Sequence, residues 1–200
     1  MKDSAIYYSV GPLLYCPANN PTVAGSIMSR RFGDHFSLAL CLEDTIADAY
    51  VAEAEALLAG TLLRLYRHAQ EHGPCLPKIF IRVREPRQIG RLTHLFNESL
   101  SVVTGFIFPS SSPAHADDYI HAVLAANERR QKPLYMMPIY ESPDLVDLRS
   151  RYEILYSLKD RLRQAEELVL NIRVGGNDLC NIFGFRRPVC ASIHKIGPVA

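Results

Sequence analysis

Short apolar runs alternate with longer amphipathic segments along most of the 200-residue chain. An apolar run of about four to eight residues between polar residues is typical of a strand that is buried on both faces. Longer segments with apolar residues every three or four positions are typical of helices that pack on such a sheet. The pattern predicts strands at residues 13–16, 38–42, 79–83, 105–109, 134–139 and 168–174, and its clearest helices at 46–72 and 143–167.

Six strand-then-helix units in succession predict an α/β fold with parallel strands and helical crossovers. Both an open doubly wound sheet and a (β/α)8 TIM barrel fit this order. No glycine-rich phosphate loop follows the first strand, and polar residues end nearly every strand, which favours the barrel. Because eight units need roughly 250 residues, we predict a single domain over residues 1–200 that is an incomplete TIM barrel with about six β/α units and lacks the last two.

The composition narrows the class of protein. Hydrophobic residues make up 48% of the chain, charged residues 22%, and the formal net charge is +1. This balance predicts neither a nucleic-acid partner nor a membrane-surface partner, and no segment reaches the ~18 apolar residues of a spanning helix. The five scattered cysteines form no CxxC pair, which favours a reducing compartment. We therefore expect a cytoplasmic protein.

The second predicted strand runs directly into two adjacent carboxylates, Glu43 and Asp44, in the stretch FSLALCLEDTIADA. Like charges held close together repel unless a cation or hydrogen bonds compensate them, so this pair indicates chemistry rather than packing. Other strands also lead into polar side chains, at the edge where a barrel builds its active site. These residues are Asn19 and Asn20 after the first strand, Arg82 in the third, Glu141 after the fifth, and Asn177 and Asp178 after the sixth.

Glu141 and Asp178 follow neighbouring strands and are expected at corresponding heights. Because Mg²⁺ prefers a few carboxylates together with water and substrate oxygens, they predict a magnesium site. Arg82 is a charge within a buried run, and a fixed cation there would hold a carboxylate or a developing enolate oxygen. Structural alternatives are a helix cap by Asp178, a turn at the two asparagines, and an ion pair between Arg82 and Glu43.

Five segments resemble the citrate lyase β-subunit-like branch of the HpcH/HpaI aldolase superfamily. The proteins of this superfamily are Mg²⁺-dependent carbon–carbon lyases with a TIM-barrel fold. LLYCPANNP is similar to the opening strand and turn of that family, and LALCLEDTIADA to its Leu-Glu-Asp signature. IRVR is similar to the strand that bears the substrate-binding arginine. PIYES resembles the strand of the metal-binding glutamate, and RVGGNDL the Gly-x-Asp metal strand. The five segments follow the family's order over nearly the whole chain.

The resemblance implies a lyase with Mg²⁺ as cofactor and with Glu141 and Asp178 as metal ligands. It also implies a catalytic set of Arg82, Glu43 and Asp44, in which Arg82 holds the carboxylate or enolate oxygen and the two acids order metal-bound water. The aldolase branch carries a Glu-His pair where this chain has Glu-Asp, which favours the citrate-lyase-like branch.

The implied substrate is a 2-oxo acid or an acyl-CoA thioester, which we expect to contact Arg82, Asn19 and Asn20. Two residues depart from the family pattern: Ser110 stands where a cation is usual, and Arg84 where an asparagine is usual. These departures and the absence of strands seven and eight favour a second hypothesis. On that hypothesis the protein is a non-catalytic relict, or a binding module that retains the barrel pocket.

A six-stranded barrel sheet has two open edges, and apolar residues lie on both of them. Leu13 and Leu14 are on the first strand, and Leu170 and Ile172 are on the sixth. Uncovered apolar surface costs about 25 cal/mol per Å². We therefore expect a homo-oligomer, with a neighbouring copy or the chain's own residues 186–200 over the gap; the alternative is that the sequence is a fragment of a longer product.

Overall fold

The computed structural model describes residues 4–73, 75–109, 112–184 and 186. Strands and helices alternate through this part of the chain. They are β1 Leu13–Pro17, α1 Val23–Met28, β2 Ser37–Cys41, α2 Val51–His72, β3 Lys78–Arg82, α3 Pro86–Phe96, β4 Val103–Phe108, α4 Pro113–Asn127, β5 Tyr135–Tyr140, α5 Arg151–Leu162, β6 Arg173–Val174 and α6 Gly176–Ile182. Short 3-10 helices occupy Ala5–Tyr8, Asp48–Tyr50, Asn97–Val102, Pro143–Leu145 and Arg163–Leu168.

All six strands are parallel, and their order in the sheet is their order in the chain, β1 to β6. A doubly wound sheet would reverse direction at a switch point, and this sheet does not. It curls into an incomplete TIM barrel, as the sequence predicts. The carboxyl ends of the strands therefore meet along one rim, and β1 and β6 are the edge strands.

Two apolar clusters cover the two faces of the sheet. On the outer face, residues such as Leu40, Ile81 and Phe106 pack with Leu58 and Leu62 of α2. The inner face carries a smaller cluster of Val10, Ala39, Phe80, Ile107, Met137, Ile139 and Leu170. Burial on both faces is the reason that these strands are almost continuously apolar. Because side chains alternate along a strand, Arg82, two positions after Phe80, also points to the inner face.

The first five predicted strands match the observed ones to within two residues at each end. The sixth is wrong in extent. Residues up to Leu168 form a 3-10 helix, Val169 makes a single bridge to Met136, and regular pairing is limited to Arg173 and Val174. An apolar run shows that a segment is buried but does not distinguish a strand from other buried backbone.

The predicted helix at 143–167 is divided into three pieces. A 3-10 turn precedes α5, and another follows it. Leu148 and Tyr152, which the spacing placed on the buried face, are 67% and 71% exposed. The main-chain oxygen of Asp147 accepts bonds from Ser150 and Arg151, and its carboxylate accepts one from the amide of Arg149. Such local bonding competes with helix propagation and explains the interruption.

The amino-terminal 3-10 turn closes the end of the barrel opposite the rim. Ile6 and Tyr7 pack against the inner cluster, and the Tyr7 hydroxyl donates to the main-chain oxygen of Glu167 at 2.6 Å. On the edge strands, Leu14 is 41% exposed and Val174 is 65% exposed.

Two of the sequence predictions concern positions outside the described residues. These are the departure at Ser110 and the covering role of residues 187–200. None of the helices within the described ranges has the length and apolarity that a membrane crossing requires.

Candidate active site at the carboxyl ends of the strands

A cleft of about 380 Å³ opens at the rim where the carboxyl ends of the strands meet. Every strand from β1 to β6 except β4 contributes to its lining, either directly or through the residues that follow it. The lining consists of Tyr15, Asp44, Arg82, Ile139, Glu141, Arg173, Val174, Gly175, Gly176, Asn177 and Asp178. Four of the residues that the sequence predicts for the site, Asp44, Arg82, Glu141 and Asp178, are therefore brought together.

Arg82 joins the carboxylates of three different residues. Its guanidinium lies 2.8 Å from Glu43 Oε2, 2.5 Å from Asp44 Oδ2 and 3.2 Å from Glu141 Oε1. The ion pair between Arg82 and Glu43, one of the structural alternatives, is thus present. The Arg82 side chain is buried, and so is that of Glu141. Removal of one member of a buried ion pair costs about 3–5 kcal/mol, because the other charge is left uncompensated. Arg82 therefore stabilises the acidic cluster as well as facing the cleft.

The two adjacent acids titrate in opposite directions. Burial, together with the neighbouring Asp44 carboxyl, raises the pKa of Glu43 to about 7, although Arg82 acts to lower it. Burial alone would raise the pKa of Asp44, but its hydrogen bond with Glu43 and the Arg82 guanidinium hold that pKa below its ordinary value. One carboxyl of the pair therefore changes its protonation near neutral pH while the other stays ionised. Such a difference is typical of acid–base sites.

Arg84 fixes the loop that carries the acidic pair. Its Nε donates to the main-chain oxygen of Leu42 at 2.6 Å, and its NH2 donates to the main-chain oxygens of Glu43, at 3.0 Å, and Ile46. Its NH1 contacts Asp48 at 2.5 Å. The departure from asparagine at this position is therefore a brace for the β2–α2 loop.

Glu141 lies against the turn after β6. It is 5% exposed, and Gly175 approaches it so closely that a Cβ on the glycine would lie 2.5 Å from Glu141 Cβ and overlap its carboxylate. Asp178 lies in the first turn of α6, three residues beyond Gly175, and is exposed at the cleft. No side-chain cap is made at the start of α6, whose N-cap is Gly175, so the capping role considered for Asp178 is not observed.

The donor set fits magnesium. Glu141 and Asp178 offer carboxylate oxygens in one cleft, and the missing side chain of Gly175 leaves the space that the Glu141 carboxylate occupies. Mg²⁺ is commonly held by one or two carboxylates with water and substrate oxygens completing its octahedron. In the described part of the chain no group of three His, Cys, Asp or Glu side chains forms a metal cage, and magnesium does not need one.

Asn19 and Asn20 are outside the residues that line the cleft. Asn19 is exposed. Asn20 Oδ1 accepts bonds from the amide and hydroxyl of Thr22, each at 2.9 Å, and its Nδ2 lies 3.3 Å from Cys16 Sγ. The Asn20 side chain thus builds the turn after β1. A substrate contact for either asparagine remains a prediction.

Sequence reasoning missed Tyr15 and Arg173, which both line the cleft. Arg173 carried a usable signal, since it is a charge within a predicted apolar strand, the same feature that singled out Arg82. Tyr15 carried none, because tyrosine is a common residue in strands of every kind.

Comparison with a family model matches residues 4–200 to the carbon–carbon bond lyases of the TIM-barrel fold. Comparison with curated protein sequences finds no significant match.

Several solved structures share the fold. The citrate lyase beta subunit of M. tuberculosis, complexed with oxaloacetate and magnesium, aligns with a TM-score of 0.52 and 16% identity over 98% of this chain and 72% of that chain. Protein CitE from Mycobacterium tuberculosis, in complex with magnesium and pyruvate, aligns with a TM-score of 0.52 and 16% identity over 97% of this chain and 66% of that chain. The complex of CitE with magnesium, acetoacetate and coenzyme A aligns with a TM-score of 0.52 and 17% identity over 96% of this chain and 59% of that chain. At these identities the likeness concerns the fold, and the family match extends over almost the entire sequence. The chain belongs to the carbon–carbon bond lyase family of the TIM-barrel fold.

Proposed function

We propose that this protein is a Mg²⁺-dependent carbon–carbon lyase that acts on a 2-oxo acid or an acyl-CoA thioester. The observation that carries the proposal is the charged cluster at the strand ends. Arg82 joins Glu43, Asp44 and Glu141, and Arg82, Asp44, Glu141 and Asp178 line a single cleft. Family membership supports carbon–carbon bond chemistry, and the related structures named above contain magnesium with small oxo acids.

Glu141 and Asp178 are the proposed metal ligands. When bound, magnesium would supply a Lewis acid that polarises the carbonyl and carboxylate oxygens of a 2-oxo acid. Glu141 has a fixed position for this role, because it is buried between Arg82 and Gly175. Asp178 is exposed at the cleft and completes the pair of carboxylates.

Glu43 is the proposed proton carrier. In the cleavage direction a 3-hydroxy thioester gives up its hydroxyl proton as the carbonyl of the 2-oxo acid forms. The carbon–carbon bond breaks in the same step in which that carbonyl forms, and its electron pair moves onto the thioester as an enolate. With a pKa of about 7, the Glu43 carboxylate is suited to accept that proton and to return a proton to the enolate carbon. Arg82, which lines the cleft, stabilises the negative charge that develops.

The test removes one carboxylate charge at a time. Glu141→Gln and Asp178→Asn keep the shape of the side chains. Loss of the Glu141 charge should lower stability, but Arg82 keeps Glu43 and Asp44 as partners, so we expect the fold to be retained. The Mg²⁺ affinity should fall by about 10–100-fold, since each change deletes one charged ligand, and thioester cleavage should be lost. The matched control is Asp144→Asn, which removes an exposed carboxylate three residues after Glu141. Calorimetry gives the affinity, and undiminished Mg²⁺ binding in both site variants would reject the metal assignment.

A binding module without catalysis is the second candidate function. It is favoured by the engagement of both terminal nitrogens of Arg82 with the protein's own carboxylates, which leaves fewer donors for a substrate. A panel of 2-oxo acids and acyl-CoA thioesters with Mg²⁺ separates the two candidates. Cleavage that disappears in Arg82→Ala rejects the binding module, and tight binding without turnover across the panel rejects the lyase.

Self-association is a further part of the proposal. Exposed side chains lie on both edge strands, Leu14 and Tyr15 on β1 and Val174 on β6, and Ile172 directly before β6 is exposed as well. They support a second copy of the chain as the cover of the open side of the barrel. A cytoplasmic location is retained as a prediction. It is supported by the free thiols of Cys16, Cys41, Cys75 and Cys180, and a secreted mature form would contradict it.

A further inference from the structure

Two side chains from the opposite edge strands meet across the open side of the barrel. In the strand registers, Tyr15 of β1 pairs with Ala39 and Arg173 of β6 pairs with Ile139. Ala39 and Ile139 both belong to the inner apolar cluster. Paired residues of parallel strands share a face, so Tyr15 and Arg173 also project inward. Both line the cleft, and the Arg173 guanidinium is close enough to the Tyr15 hydroxyl to act against burial, which raises the pKa of that hydroxyl.

The two arginines of the cleft differ in their partners. Arg82 has a carboxylate on each terminal nitrogen. In contrast, none of the ion pairs formed among the described residues includes Arg173. Its charge is half-buried beside a neutral tyrosine. A guanidinium that is partly desolvated and forms no ion pair attracts an anion, and its planar fork of donors matches a carboxylate.

We propose that Arg173, positioned by Tyr15, binds the second acidic group of a dicarboxylic 2-oxo acid and so selects diacids over monoacids. This inference rests on the proposed function. The cleft is acidic around Glu141 and Asp178, which are suited to the metal, and Arg173 supplies the compensating charge at the seam. A 2-oxo monoacid leaves that charge unpaired, whereas a diacid pairs it. Discrimination by a charged hydrogen bond is stronger than discrimination by size.

The experiment compares two ligands of almost equal shape. Oxaloacetate and 2-oxobutyrate both have four carbons, and a carboxylate in the first replaces a methyl group in the second. Dissociation constants are measured by calorimetry with saturating Mg²⁺. For Arg173→Gln we expect oxaloacetate to bind about 10–100-fold more weakly, as for the loss of one charged hydrogen-bonding partner. Binding of 2-oxobutyrate should change by no more than about 2-fold.

Three further variants separate recognition from structure. Arg173→Lys keeps the charge without the fork and should retain part of the preference for the diacid. Tyr15→Phe removes only the hydroxyl and should weaken oxaloacetate binding less than Arg173→Gln does. Arg149→Gln alters an exposed arginine outside the cleft and should leave the dissociation constants of both ligands unchanged.

The outcomes are distinct for the two proposals. Equal losses for both ligands in Arg173→Gln, or a wild-type protein that does not prefer the diacid, would overturn the role of Arg173. A preference for the diacid that is abolished in Arg173→Gln supports that role even if the protein cleaves no thioester, and in that case only the lyase proposal fails.

Discussion

Replacement of Gly175 by alanine tests whether the Glu141 carboxylate is held where the proposed metal site needs it. A Cβ at position 175 would lie 2.5 Å from Glu141 Cβ and 2.9 Å from its Cδ, whereas ordinary van der Waals contact begins near 3.4 Å. Glu141 Cβ is fixed by the backbone, so rotation of the side chain does not remove the overlap. The glutamate and the turn after β6 must therefore move apart.

The size of the effect follows from this overlap. Overpacking of a well-packed site costs about 1–3 kcal/mol. Gly175 has φ −79°, which any residue adopts, so alanine there carries no conformational penalty and would otherwise stabilise by about 0.4–1 kcal/mol. Because this gain offsets part of the overpacking cost, the free energy of unfolding should fall by up to about 2.6 kcal/mol. The Mg²⁺ affinity should fall as well, because Glu141 is displaced from the cleft.

Two further glycine-to-alanine variants serve as controls in urea unfolding and Mg²⁺ calorimetry. At Gly90 no atom lies within 4 Å of the position that an added Cβ would take, so Gly90→Ala should be neutral or stabilising and should bind Mg²⁺ normally. At Gly105 an added Cβ would lie 2.6 Å from the carbonyl carbon of Tyr135. Gly105→Ala should therefore lose stability at the far end of β5 but keep its Mg²⁺ affinity. If Gly175→Ala behaved like Gly90→Ala in both assays, the reasoning would be refuted.

Two other predictions concern pH and assembly. The folded-state pKa of Glu43, about 7, lies above its ordinary value of 4.5, so its contribution to stability is complete below pH 4.5 and is lost as the pH rises through 7. The difference in unfolding free energy between wild type and Glu43→Gln should therefore fall between pH 4.5 and pH 7. A difference that stays constant with pH in urea titrations would contradict the raised pKa of Glu43. For assembly, light scattering should give a mass above 22.5 kDa, because the exposed edge strands need a cover. A compact monomer with strong hydrogen-exchange protection on β1 and β6 would exclude self-association.

Much of the fold and part of the candidate site follow from the sequence. Apolar runs alternate with helical segments along the chain, and this alternation is sufficient to locate five strands. Their order in the sheet follows from the choice of a barrel over a doubly wound sheet. Charges in or directly after such runs, such as Arg82 and Glu141, lie at the carboxyl rim, because parallel strands all end on the same side of the sheet. Because side chains alternate along a strand, the sequence also places Arg82 on the same face as Phe80, and the structure shows that this is the inner face.

Other features depend on three-dimensional proximity, which local pattern does not contain. The meeting of Arg82 with three carboxylates, the brace that Arg84 forms on the β2–α2 loop, and the contact of Tyr15 with Arg173 all join residues that are distant in the chain. The break before α5 arose where local hydrogen bonds of Asp147 overrode the apolar spacing. The sequence by itself determined the buried runs of the first five strands and the rim that their ends reach, because strand burial and alternation are properties of short segments. Only the tertiary structure decided which charges neutralise one another, because that depends on the curvature of the sheet and on distances between separate strands.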